Sequence, residues 1–237
     1  MTATACASRA DALEARARQT LGRSKEAIYR MVQRVIGECD AGGGLLLDIG
    51  CGSGNLYRWM RDSIAHYVGT DAVRYADFPA DCEFVSVDLD QGCGAIADER
   101  ADVVAAVEII EHLENPRAFM RELVRVAKPG GWIIITTPNQ LSLLSLLTLL
   151  VKHRFSAFQD VDYPAHRTAL LEVDLRRVAS DCGLVDIRIE YSGCGRIAFT
   201  PWHYPKIFSG FFRRALSDNL LIAARKPDCR SALAAAQ

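Results

Sequence analysis

Residues 45–55, LLLDIGCGSGN, constrain the fold more than any other stretch of the chain. Three leucines run into Asp48, and Gly50, Gly52 and Gly54 follow at alternate positions. A short apolar run closed by glycines is the pattern of a buried parallel strand. The glycines allow a tight turn in which backbone N–H groups approach a ligand with no Cβ in the way. Leu56, Trp59 and Met60 then recur at helical spacing. The unit reads as strand, glycine loop, helix. It sets the loop at the carboxyl end of a strand and at a helix start, where open α/β sheets bind ligands.

The glycine spacing is G-x-G-x-G, not the dinucleotide G-x-G-x-x-G, and no Lys-Ser/Thr follows as in a phosphate-gripping loop. Asp48 would repel a pyrophosphate and suit a cationic amino-acid moiety, accepting from an ammonium group or from ordered water. Further along, 64–70 reads as a second strand ending at Asp71, and 82–89 as a third leading to Asp88 and Leu89, with Asp90 an equally acidic neighbour. Asp71 follows the loop by about 20 residues, where a carboxylate in such folds holds both ribose hydroxyls. Residues 102–107 are a fourth strand. Asn115 and Pro116 start a helix running to Ala127, with Phe119, Leu123 and Val126 inward. Lys128 to Gly131 stop it, and 132–139 is the fifth strand. Upstream, 25–36 is helical with Ser24 as its N-cap. Downstream, 170–182 is a helix, and 185–192 and 219–226 are the last two strands.

D-I-G-C-G-S-G, then V-E-I-I-E-H-L-E-N-P and K-P-G-G-W-I-I-I-T-T-P-N, resemble in order the motifs of class I S-adenosylmethionine-dependent methyltransferases over about residues 44–139. The resemblance implies an α/β, Rossmann-like, doubly wound sheet of seven strands. Their order would be 3-2-1-4-5-7-6, with strand 7 antiparallel and helices on both faces. It implies S-adenosylmethionine as cosubstrate. Asp48, Gly50, Gly52 and Gly54 would surround its amino-acid portion, Asp71 the ribose, and Asp88 with Leu89 the adenine, with Glu108 at the cleft wall near the methyl. The expected reaction is methyl transfer to a small-molecule or lipid-like acceptor at oxygen. A hydride-transferring enzyme on the same layout lacks the right glycine spacing and a Tyr-x-x-x-Lys. A non-catalytic S-adenosylmethionine-binding partner protein stays open as an alternative.

Transfer from a sulfonium needs mainly an acceptor held in line, so no prominent catalytic group is required. His112 and His166 are the candidates for a base. Glu108, Glu111 and His112 stand at i, i+3 and i+4, which would share a helical face. With His166 they could hold a divalent cation. The E-x-x-E-H run is similar to that of metal-assisted small-RNA 2′-O-methyltransferases and of ubiquinone-pathway O-methyltransferases. The favoured reading is metal-free, with Glu108 lining the cleft and the histidines orienting backbone or acting as base.

A net charge of −1 offers no broad surface for DNA, and RNA is disfavoured by the lack of a basic tract. Eight cysteines without a C-x-x-C, and an N-terminus without an apolar signal segment, point to a reduced cytoplasmic protein. The expected layout is a helical arm over 1–40, a methyltransferase domain over 41–227 and a disordered tail over 228–237. Within the domain, 140–167 would form a lid and 193–218 a substrate-side insertion. LSLLSLLTLLV at 141–151 is too short to span a bilayer, which takes about 20 residues. It reads first as a buried lid helix and, more sharply, as a lid touching a membrane or a long apolar substrate.

Overall fold

The computed structural model describes residues 22–39, 43–198 and 200–228. The expectations for most of the N-terminal arm, and for the tail beyond 228, lie outside them. Seven strands form one sheet: β1 Leu45–Ile49, β2 His66–Asp71, β3 Glu83–Ser86, β4 Ala101–Val107, β5 Ala127–Pro138, β6 Val185–Tyr191 and β7 Asn219–Arg225. Their order is β3-β2-β1-β4-β5-β7-β6. β1 to β5 pair in parallel, and β7 is antiparallel to both β5 and β6. This is the expected topology.

β1 and β4 are buried along almost their whole length because both sheet faces are covered. One apolar layer joins Leu47, Ile49, Val104 and Ile133 to α3 (Pro116–Val126) through Phe119, Met120 and Leu123. The opposite layer joins Leu46, Val103 and Ile134 to α1 (Glu26–Glu38) through Ile28, Val32 and Val35, and to α2 (Asn55–Met60) through Leu56 and Met60. Asn115 caps α3 as expected, its Oδ1 accepting from the Ala118 N–H at 2.9 Å. α4 (Leu143–Lys152), α5 (Glu172–Asp181) and α6 (Lys206–Phe211) complete the helices described.

Three local expectations are corrected. Lys25, not Ser24, is the N-cap of α1, with no side-chain cap bond; the Ser24 amide instead donates to the Tyr29 hydroxyl at 3.1 Å. β3 ends at Ser86, so Asp88 and Leu89 lie past it in a turn. Lys128 to Gly131 belong to β5, as the irregular stretch between the Ala127–Ala101 and Trp132–Val103 pairs with β4, and Gly130 and Gly131 bond to Lys226. There Lys128 Nζ meets Asp102 Oδ2 at 2.8 Å, and a Cβ on Gly131 would fall 2.9 Å from the Lys128 carbonyl oxygen.

Leu123 is fully buried at the centre of its layer, so Leu123→Ala should lower unfolding free energy by about 3 kcal/mol. Asn115→Ala, which removes only a cap, should cost about 1 kcal/mol. Urea unfolding followed by circular dichroism checks that ranking; equal costs would contradict it.

Candidate active site

The parallel strands end at one edge, and the predicted site residues gather there. After β1, Gly50, Gly52 and Gly54 adopt φ of 72°, 53° and 74°, a region closed to most side chains. The amides of Gly50 and Cys51 both donate to the Thr70 carbonyl, at 2.7 and 2.9 Å, which folds the loop back onto β2. Gly52 meets a second backbone: a Cβ there would lie 2.6 Å from Gly22 Cα. The chain entering α1 thus crosses the glycine loop, held by Asn55 Nδ2 donating to the Gly22 carbonyl at 3.1 Å.

Asp48 is buried beneath the loop, where Tyr67 donates its hydroxyl to Oδ2 at 2.6 Å. It is set behind the loop and is not an open ligand at its surface. Burial pushes its carboxyl up to about 7, against the Tyr67 bond, which pulls it down. Asp71, at the end of β2, accepts from the Gly52 amide at 2.9 Å and the Ala72 amide at 2.7 Å. Desolvation nevertheless raises its pKa. Asp88 accepts from the Asp90 amide at 3.1 Å and from Gln91 Nε2 at 2.8 Å. Leu89 packs, half-buried, against the core. Asp90 faces elsewhere, toward the Glu114 amide and Arg167.

Glu108 follows β4 with φ of 57°, so the chain does not continue as a helix through the E-x-x-E-H run. Its Oε1 accepts from Asn219 Nδ2 at 2.7 Å, from the start of β7. Burial pushes Glu108 up to about 7, and the nearby Lys25 and the Asn219 bond oppose this. A short 3-10 helix, Ile110–His112, then turns Glu111 and His112 away from it. Glu111 is 0% exposed and accepts from the Thr137 hydroxyl at 3.2 Å, while its Oε1 has no hydrogen-bond partner. Burial first, and the Glu108 charge second, raise its pKa well above the usual range.

His112 and His166 stand edge to face, ring centroids 4.8 Å apart. His112 Nδ1 lies 2.8 Å from the Ala165 carbonyl, and His166 Nδ1 contacts the Ala157 carbonyl. Carbonyls accept only, so each Nδ1 carries a proton and each Nε2 is the basic nitrogen. Glu111, His112 and His166 place one potential ligand atom each within 4.8 Å of one another. Of the four residues expected to hold a metal, Glu108 stays outside this group, tied to Asn219.

Tyr67, Asn219, Lys25 and Tyr29 were not anticipated. None of the four carried a local signal. Lys25 also opens onto a groove of about 910 Å³ between α1 and the β6–β7 connection, lined in part by Met31, Tyr191, His203 and Arg213.

A family model described as "Methyltransferase domain" matches residues 18–188. A "Ubiquinone biosynthesis O-methyltransferase" of Maricaulis maris is 36% identical over 105 residues, which cover 41% of this chain and 41% of that protein. The chain therefore spans under half the length of that relative. A protein of the same description from Idiomarina loihiensis is 26% identical over 193 residues, 77% of this chain and 75% of its own length. Among solved structures, a SAM-dependent methyltransferase from Archaeoglobus fulgidus aligns with a TM-score of 0.63 at 19% identity, covering 88% of this chain and 97% of that one. At that identity the likeness is one of fold.

The folded chain keeps protons on Asp48 and Glu108 that the unfolded chain releases nearer their ordinary values of 3.8 and 4.5. More protons bound when folded means that stability falls as pH rises. The unliganded protein should therefore lose stability between about pH 4 and about pH 7 and level off above. Asp48→Asn, which keeps an acceptor for Tyr67, should flatten the plot of unfolding midpoint against pH; an unchanged slope would place the protons elsewhere.

Proposed function

Since the chain belongs to the class I S-adenosylmethionine-dependent methyltransferase-domain family, we propose that it moves the methyl of S-adenosylmethionine to a hydroxyl of a small-molecule or lipid-like acceptor. The observation that carries the choice of oxygen is the His112–His166 pair. Two imidazoles, each fixed through Nδ1 on a carbonyl, hold basic Nε2 atoms beyond the end of β4. One of them takes the acceptor's hydroxyl proton. The oxygen then attacks the methyl carbon in line, the methyl–sulfur bond breaks, and its electron pair stays on sulfur as a neutral thioether. The names of the Maricaulis and Idiomarina relatives support the same class of acceptor atom. The groove beside Lys25 has the size of a small-molecule pocket.

In this reading the glycine loop cradles the amino-acid end of the cosubstrate, and Asp48 acts through the loop as a charge favouring the ammonium group. Asp71 takes the ribose hydroxyls, and Asp88 with Leu89 the adenine. Glu108 faces the sulfonium side of the cleft. Asp71→Ala should weaken S-adenosylhomocysteine binding roughly 100-fold by calorimetry, because two charge-assisted bonds are lost. Unchanged affinity would refute this placement.

The base is tested with a series of phenolic acceptors of differing acidity. His112→Gln and His166→Gln should each be assayed, and the variant lacking the base should lose roughly 100-fold in kcat on weakly acidic phenols. It should lose far less on phenols already ionised at the assay pH. Equal losses across the series in both variants would reduce the pair to a structural role.

A second reading is favoured by the partnerless Oε1 of Glu111. Two imidazoles and a carboxylate are a donor set that fits a borderline divalent cation. Glu111, His112 and His166 would hold it, and when bound it would lower the pKa of a coordinated hydroxyl. Full activity in excess chelator removes this reading, while loss restored by added Mg²⁺, Mn²⁺ or Zn²⁺ supports it.

A further inference from the structure

α4 is inverted relative to the usual surface helix. Its small polar side chains point inward and are satisfied there. Ser142 Oγ accepts from the Ser145 amide at 3.1 Å, Ser145 Oγ accepts from the Ser156 amide at 3.2 Å, and Thr148 donates to the Leu144 carbonyl at 2.7 Å. Leu144 is buried with them, while Leu143, Leu146, Leu150 and Val151 face out. Leu146 is 43% exposed, Leu150 76% and Val151 60%. Because the inward polar groups are paired, the outward leucines are the settled state of this helix.

A second apolar segment stands at its base. Phe211 is 83% exposed and Phe212 65%. The Leu143 amide donates to the Ala215 carbonyl at 2.7 Å, and Asn139 Nδ2 donates to the Ser217 carbonyl at 2.8 Å, so the two segments are tied together. Within the two segments the charges have one sign, and Arg154 is paired with Asp160 outside them. Residues 141–154 and 200–216 contain no Asp or Glu and five Lys or Arg, in a chain of net charge −1. Arg213 and Arg214 are more than half exposed, each loosely opposite a carboxylate from elsewhere at 3.4 and 3.7 Å.

We propose that this face, α4 with Phe211 to Arg214, docks on an anionic lipid bilayer. Exposed apolar side chains enter the headgroup boundary while cations beside them meet lipid phosphates. An acidic or neutral partner protein would match the leucines or the arginines, but a bilayer of anionic lipid matches both. The contact is interfacial: among the described residues no helix is long and apolar enough to cross a membrane. α4 leaves β5, and the Phe211 segment leaves β6, at the same sheet edge that carries the glycine loop. Docking thus turns the candidate active site toward the membrane. The inference goes beyond the reaction proposed above and stands whichever acceptor is used.

The test is co-sedimentation of the purified chain with vesicles of phosphatidylcholine alone or mixed equally with phosphatidylglycerol. Binding is expected to the mixed vesicles only, and to fall with added salt. Leu146→Gln/Leu150→Gln and, separately, Lys152→Gln/Arg214→Gln should each weaken it roughly tenfold. S-adenosylhomocysteine affinity should be unchanged in both, which shows that the variants are folded. No binding to the mixed vesicles, or binding retained by both variants, overturns the proposal. So does a dimer of the free protein that Leu146→Gln/Leu150→Gln dissociates, since the face would then be covered by a second copy.

Discussion

Four carboxyl groups meet at one edge of the sheet, and their crowding governs the rest of the site. Asp48, Asp71, Glu108 and Glu111 arrive from the ends of β1, β2 and β4 into a region with little water. Burial raises the pKa of each one. The opposing contributions are few: Tyr67 on Asp48, three backbone amides on Asp71, Asn219 and the charge of Lys25 on Glu108, and Thr137 on Glu111. Such a site favours a cationic ligand, since a positive charge placed there stabilises ionised forms that the protein itself strains to keep. A sulfonium bearing an ammonium group answers that demand at two points. A pyrophosphate would add to the repulsion, so the glycine spacing and the buried acids exclude a dinucleotide for a shared reason.

The strands were legible because their burial is complete. LLLDI, DVVAAV and WIIITTP are mostly apolar runs too short to confuse with a helix, and Asp48 and Glu108 stand at the ends of the first two. Their spatial order came from the resemblance of motifs, since periodicity carries no information on which strand neighbours which. Boundaries failed where a local signal met a tertiary one. Pro129 and Gly130 read as a stop, yet strand pairing begins before them at Ala127–Ala101 and resumes at Trp132–Val103, with the Lys128–Asp102 contact between. In the site, acids at strand ends could be recognised one by one. Their partners could not: Asn219 reaches Glu108 across 111 residues of sequence, and Lys25 and Tyr29 come from a helix whose pattern announces only an apolar face.

α4 shows a second limit of pattern. Ser142, Ser145 and Thr148 recur every three residues and so mark one face of a helix, which the ordinary rule would turn to water. The structure turns it inward, because Gln140 and the Ser156 amide supply partners there. Periodicity reports which residues lie together on a helix; only the surroundings decide which side is buried. Buried hydroxyls with partners cost little, whereas the exposed leucines forgo their burial altogether. A sequence that keeps that arrangement has another use for its apolar face.

The E-x-x-E-H run illustrates how one backbone angle divides a motif. On a continuous helix Glu108, Glu111 and His112 would share a face and a single role. With Glu108 at φ 57° and a 3-10 turn behind it, the run splits. Glu108 turns to Asn219 and the region influenced by Lys25, while Glu111 and His112 turn to Thr137 and His166. A left-handed glutamate is strained, and it is held by the Glu108 amide donating to Thr136 Oγ1 at 3.0 Å on the neighbouring strand. The two halves still communicate, since the charge of Glu108 helps keep Glu111 neutral. A ligand that ionises Glu108 on the cosubstrate side would strengthen that effect. Glu111 would then be held more firmly in its neutral form beside the imidazoles.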